Sequence, residues 1–145
     1  GTIAVEDIVQ QTRRGRSIPN EGPLKKLSAA WINRRLRLTQ NNNPHEAFEP
    51  TKSNLTFTGR LLDALIYKVL GPGKIELTFK DENHPGYQTA SGEPGNQVPY
   101  KELAGYVADG GRPFVGVRPT IRRAINRIVK KFVKRSLAVS RLTKQ

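Results

Sequence analysis

The sequence has no cysteine. That absence removes a disulfide framework, a thiolate metal site and a cysteine nucleophile together. No apolar run approaches the ~18 residues a membrane-spanning helix needs, and no signal-peptide pattern stands at the start. Histidine is scarce. His45 and His84 lie in polar stretches beside proline, where a surface histidine is the ordinary case, with no second histidine or carboxylate at a metal-ligand spacing. Asp63 and Glu102 stand singly, with nothing that pairs them as acid and base. Gly71-Pro72-Gly73-Lys74 shares glycines with a phosphate loop but lacks the Gly-Lys-Ser/Thr ending and precedes a strand pattern, so it reads as a hairpin turn. The expectation is a non-enzymatic protein without metal or cofactor.

A second absence is local. Residues 110–145 contain no Asp or Glu, although they hold eleven of the 25 Lys and Arg residues. The rest of the chain is nearly balanced in charge. The basic stretch is also patterned. Ile121, Ile125, Ile128, Val129, Phe132 and Val139 fall on one face of a helix. Arg123, Arg127, Lys130, Lys134 and Arg141 fall on the opposite face. A disordered basic tail would lack the apolar periodicity. The pattern predicts a helix packed through its apolar face, with a cationic outer ridge that is either solvated or met by something negative.

A net charge of +13 and a pI near 10.5 favour nucleic acid, an acidic protein surface or anionic lipid as partner. Lipid fits least, because Phe132 is the sole aromatic on the basic helix and interfacial helices carry Trp or Phe among their leucines. No zinc finger, RNA-recognition signature or helix-turn-helix pair accompanies the charge. Trp31 lies on an apolar stripe and reads as core.

At 145 residues the chain fits one domain. Residues 2–14 read as a short helix, a candidate peripheral arm, and Gly15, Pro19, Gly22 and Pro23 interrupt the chain after it. Residues 24–38 read as a second helix with Leu24, Leu27, Trp31 and Leu38 as its stripe. Residues 39–53 are a polar loop with three consecutive Asn. Residues 58–65 form a short helix or turn leading into a strand at 65–70. Ile75, Leu77 and Phe79 then alternate with Glu76, Thr78 and Lys80, the period of a strand, and the intervening glycines make the pair a hairpin. Residues 81–99 form a long Gly- and Pro-rich loop, of the kind that is functional or ordered by a partner. Residues 100–107 suit a short helix, 114–117 a short strand, and the basic helix begins near Pro119. The fold class is α+β: a small antiparallel sheet packed with helices, ending in a long basic amphipathic helix.

One ordered constellation is more specific. Lys52-Ser53-Asn54-Leu55-Thr56-Phe57-Thr58-Gly59-Arg60-Leu61-Leu62-Asp63-Ala64-Leu65 is followed by the alternating strand, Val98-Pro99-Tyr100, Gly110-Gly111, Arg112-Pro113-Phe114 and a terminal helix. This order resembles the tail-completion, or virion-morphogenesis, proteins of tailed bacteriophages, over roughly residues 20–135. Pro23-Leu24 and Leu27-Ser28 resemble that family's early positions. Lys101-Glu102-Leu103 departs from it, since Ala and then His or Gln usually follow the tyrosine. Thr58, Gly59, Leu61, Tyr100, Arg112, Pro113 and Phe114 are the residues matching the family's structural motif. The resemblance implies a virion protein, made in the host cytoplasm, at the head-tail junction. It implies a six-fold or twelve-fold ring of its own copies around the DNA channel, next to portal, adaptor or tail proteins. The genome would be met through phosphates, with no membrane involved. The alternative the residues leave open is a small basic nucleic-acid-binding protein, ribosomal or nucleoid-like.

Overall fold

The computed structural model describes residues 1–19, 21–46, 48–89 and 91–142, and for residues 136–142 the backbone alone. The chain forms α1 (Thr2–Arg13), α2 (Ala29–Leu38), α3 (Arg60–Asp63), β1 (Leu65–Gly71), β2 (Lys74–Phe79), β3 (Asn83–His84), β4 (Val98–Pro99), α4 (Tyr100–Asp109) and α5 (Pro119–Leu142). β1 and β2 pair antiparallel from Leu65↔Phe79 to Gly71↔Lys74, and β3 pairs antiparallel with β4. The architecture is α+β.

The core gathers Ile8 from α1, Ile18, Leu61 and Leu62 from α3, Leu65 and Phe79 from the hairpin base, Tyr100 and Ala104 from α4, and Phe114. Burial of these side chains is the main favourable term in folding. α1 is therefore no peripheral arm. Ala4, Ile8, Gln11 and Thr12 are all buried, on one helical face. Two of those four residues are polar, so the inner face was disguised by composition. α2 starts at Ala29, where the Ser28 hydroxyl accepts from the Trp31 amide at 3.2 Å and caps the helix. Residues 24–27 are not helical.

The hairpin is packed at its base and free at its tip. Leu65 and Phe79 are buried, whereas Val69, Leu70 and Ile75 are exposed. Gly73 takes φ +70 in the turn, a conformation glycine adopts without strain.

The two polar loops hold each other. Asn42 donates from Nδ2 to the Leu38 carbonyl (2.8 Å) and the Gln88 carbonyl (3.0 Å), and its Oδ1 accepts from the Gln88 amide (2.9 Å). Asn41 donates from Nδ2 to the Thr89 carbonyl (2.8 Å). Tyr87 packs edge-on against Phe57 and His84, with ring centroids 4.9 Å apart in both pairs. The 81–99 loop is thus closed at its ends by β3 and β4 and pinned at its middle by the asparagines.

Residues 114–117 are extended but form no strand. Phe114 is an anchor, 1% exposed, and the Ser17 hydroxyl donates to the Pro113 carbonyl at 2.7 Å. α5 then leaves the body. Ile121, Ala124 and Ile125 are half-buried, and every residue from 126 to 135 is exposed. Phe132 is 71% exposed. The expectation of a packed C-terminal helix fails over residues 126–135: the amphipathic period is real, but among the described residues nothing covers the apolar face there.

Candidate functional site: a free basic helix and an apolar groove

The base of α5 is set by Arg118. Its guanidinium donates to both carboxylate oxygens of Asp7 on α1, through Nε to Oδ2 at 2.8 Å and through a terminal nitrogen to Oδ1. Those hydrogen bonds raise the Arg118 pKa above its ordinary value, against the opposing effect of burial. Beyond this bracket, Arg123, Arg127, Lys130 and Lys134 lie exposed along one face. Among the described residues none of them pairs with a carboxylate. Arg141, the fifth member of the predicted ridge, and Val139 on the apolar face lie outside the described side chains. Opposite the ridge, Ile128 and Phe132 are 53% and 71% exposed, and Val129 and Val133, which share a shallow cleft with the ridge residues, are 53% and 46% exposed. α5 is a two-faced rod, cationic on one side and apolar on the other.

The motif residues are brought together, mostly as scaffold. Leu61, Tyr100 and Phe114 are core. Gly59 caps α3 at φ +74, and a Cβ there would come within 2.7 Å of the His45 ring. The Thr58 hydroxyl hydrogen-bonds to Tyr87. Arg112 is a cross-brace: Nε donates to the Lys25 carbonyl (3.2 Å) and the Ser53 hydroxyl (3.1 Å), and a terminal nitrogen donates to the Lys26 carbonyl (3.1 Å). It ties the segment before the terminal helix to the chain before α2.

A groove of about 380 Å³ runs between α2 and α4. Leu27, Trp31, Leu38, Leu55, Leu103 and Val107 are its apolar lining, and Tyr106, Arg35 and Arg112 line it as well. Trp31, expected in the core, is 39% exposed in this lining, with the Arg34 guanidinium 5.2 Å from its ring centroid. The one buried residue of α2 is Arg35. It donates to the carbonyls of Pro50 (3.3 Å) and Lys52 (2.9 Å) through one terminal nitrogen, and its guanidinium lies 4.7 Å from the Phe48 ring centroid. Burial lowers its pKa; Tyr87 works the other way and Arg112 adds to the lowering. An arginine nevertheless stays protonated in a protein. Leu55 in the lining takes φ +54, an uncommon conformation for a residue with a Cβ. The Leu27, Trp31 and Leu38 stripe and a helix over 100–107 were readable in the sequence. That the two face each other across a gap was not.

His84 is a core histidine, not a surface one: it is 3% exposed. Its Nδ1 accepts from the Gly86 amide at 3.0 Å, so the neutral ring carries its proton on Nε2, which is buried with no partner among the described residues. Burial lowers its pKa, and the Arg60 charge lowers it further. Tyr87 and Tyr100 pack around it and are themselves pushed up by burial. Among the described residues no cluster of His, Asp and Glu could hold a metal ion, and no helix is long and apolar enough to cross a membrane.

No protein-family model, no curated protein and no solved structure matches this chain. What it does has to be argued from its own surfaces.

Proposed function

We propose that the protein is a structural subunit of a tailed-bacteriophage virion at the head-tail junction, assembling with copies of itself as a ring around the DNA channel. The observation that carries this reading is the exposed apolar face of α5. Apolar side chains such as Phe132 and Ile128 in a continuous helical row are a surface waiting for another chain. The rod is braced at its base by Arg118 and Asp7, so it projects at a defined angle and could serve as a building contact. A head-to-tail contact of this kind closes into a ring when the rotation between copies permits. The order of the Thr58-Gly59, Tyr100 and Arg112-Pro113-Phe114 motifs adds the family resemblance. With the apolar face against a neighbour, the cationic ridge is free for genome phosphates, contacts that carry no sequence information.

The ridge also supports a second reading, a small nucleic-acid-binding protein, because none of its described cations is neutralised within the chain. Native mass measurement and negative-stain imaging of the pure protein discriminate the two. Rings, or assembly on addition of a neck component, support the first. A monomer that binds DNA or RNA tightly and loses that binding as salt rises supports the second.

A further inference from the structure

The α2–α4 groove is a second unpartnered surface, and its chemistry differs from that of α5. Its walls are apolar. Trp31 and Tyr106, 39% and 57% exposed, line it, and so do Arg35 and Arg112. Trp, Tyr and Arg are the residue types that dominate the binding energy of protein interfaces.

The two arginines say what is missing. A guanidinium in apolar surroundings is best satisfied by a carboxylate, which takes two of its donors at once. Among the described residues neither has one: the ion pairs there are Arg13–Asp63, Lys52–Glu49 and Arg118–Asp7. Arg35 and Arg112 spend donors on backbone carbonyls and one hydroxyl. The two positive charges also repel each other, since the Arg112 charge opposes protonation of Arg35. A second copy's α5 is the wrong occupant, despite its apolar face. It has no Asp or Glu, and Arg135 borders that face.

We propose that the groove docks an apolar segment of a partner protein that carries a carboxylate, its apolar side chains lying along Leu27, Trp31 and Leu103 and its acid meeting Arg35 and Arg112. The match is one of charge as well as shape: a concave apolar slot with a small number of placed polar groups is the usual form of a recognition site. The open rim with its exposed aromatics suits a peptide chain. The proposal does not depend on the ring, since a monomer with this groove would bind the same segment.

The test is selection from a random peptide library displayed on yeast, using the full-length protein as bait. Peptides combining Leu, Ile or Phe with Asp or Glu should be enriched. A synthetic representative should lose about tenfold in affinity when its acid is changed to the amide, and should bind more weakly as salt rises. Trp31→Ser and Tyr106→Ser change exposed side chains and should keep the wild-type Tm, yet each should weaken the peptide about thirtyfold, the loss expected when an interface aromatic is truncated. Three outcomes overturn the proposal: no enrichment, enrichment of apolar peptides without acids, or undiminished binding to Trp31→Ser; binding of laurate in the first case would make the groove a small-amphiphile site.

Discussion

The Arg118 guanidinium grips the Asp7 carboxylate across 111 residues of sequence, donating to both of its oxygens. This pair joins the first helix to the base of the last. It sets the angle at which a 24-residue helix leaves the body. At 1.5 Å per residue that rod is about 36 Å long.

Asp7→Asn should lower stability by about 1–3 kcal/mol, the range for losing a charge-assisted hydrogen bond. The pair is only partly exposed, at 24% for Arg118 and 10% for Asp7, so the guanidinium left behind is incompletely solvated. Urea titration measures the loss. The amide protons of the first turn of α5 should also exchange faster in the variant.

Phe132→Ser should leave the unfolding free energy of monomeric protein, measured by urea titration, within about 0.5 kcal/mol of wild type, because its ring is 71% exposed. Phe114→Ala should cost about 3–5 kcal/mol, since that ring is 1% exposed and packed against Phe79. A large loss in Phe132→Ser under monomeric conditions would mean that α5 folds back onto the body.

His84 makes stability pH-dependent. Its folded pKa lies below the ordinary value of 6.5. Below that value the unfolded chain takes up a proton that the folded chain resists, so stability rises with pH in this window. The contribution is fully present above about pH 6.5 and is lost as pH falls toward the folded pKa. His84→Gln should be less stable at neutral pH but should show a flatter dependence of Tm between about pH 5 and 7. An unchanged slope would show that the buried ring accepts its proton without cost.

Asn42→Ala should unzip the two polar loops. Three hydrogen bonds converge on that side chain. Removing them should cost about 1–2 kcal/mol, and the Gln88 amide should lose its protection from hydrogen exchange. Wild-type protection at Gln88 in the variant would show that the other contacts of the 81–99 loop, from Asn41, Tyr87 and the β3–β4 pair, hold it without Asn42.

Local patterns in this sequence translated well and non-local ones did not. Ile75, Leu77 and Phe79 with the Gly71-Pro72-Gly73 turn specify a hairpin within a few residues, and the hairpin is there. Residues 58–65 read as a short helix or turn leading into a strand, and α3 stands there with Gly59 at φ +74 before it. The apolar period of α5 was equally clear, but periodicity shows only that a face is to be covered, not by which molecule. The Asn41–Asn42 clasp joins two segments that each looked unsupported, and its partners are backbone groups, which leave no mark in sequence. The same holds for Arg35. Its acceptors are the carbonyls of Pro50 and Lys52, so nothing in the residue pattern set it apart from the exposed Arg34 and Arg37 beside it. The groove was illegible for the same reason: Trp31 reads as core in the sequence, and only the fold sets it facing Leu103 across open space.

On the proposed reading, the apolar face of α5 is an assembly surface. Mass measurement across a concentration series, on wild type and on Phe132→Asp, tests it most directly. Wild type should pass from monomer to a closed oligomer as concentration rises, and Phe132→Asp should stay monomeric with an unchanged monomer Tm. Wild type that remains monomeric throughout, or a variant that assembles as wild type does, would contradict it.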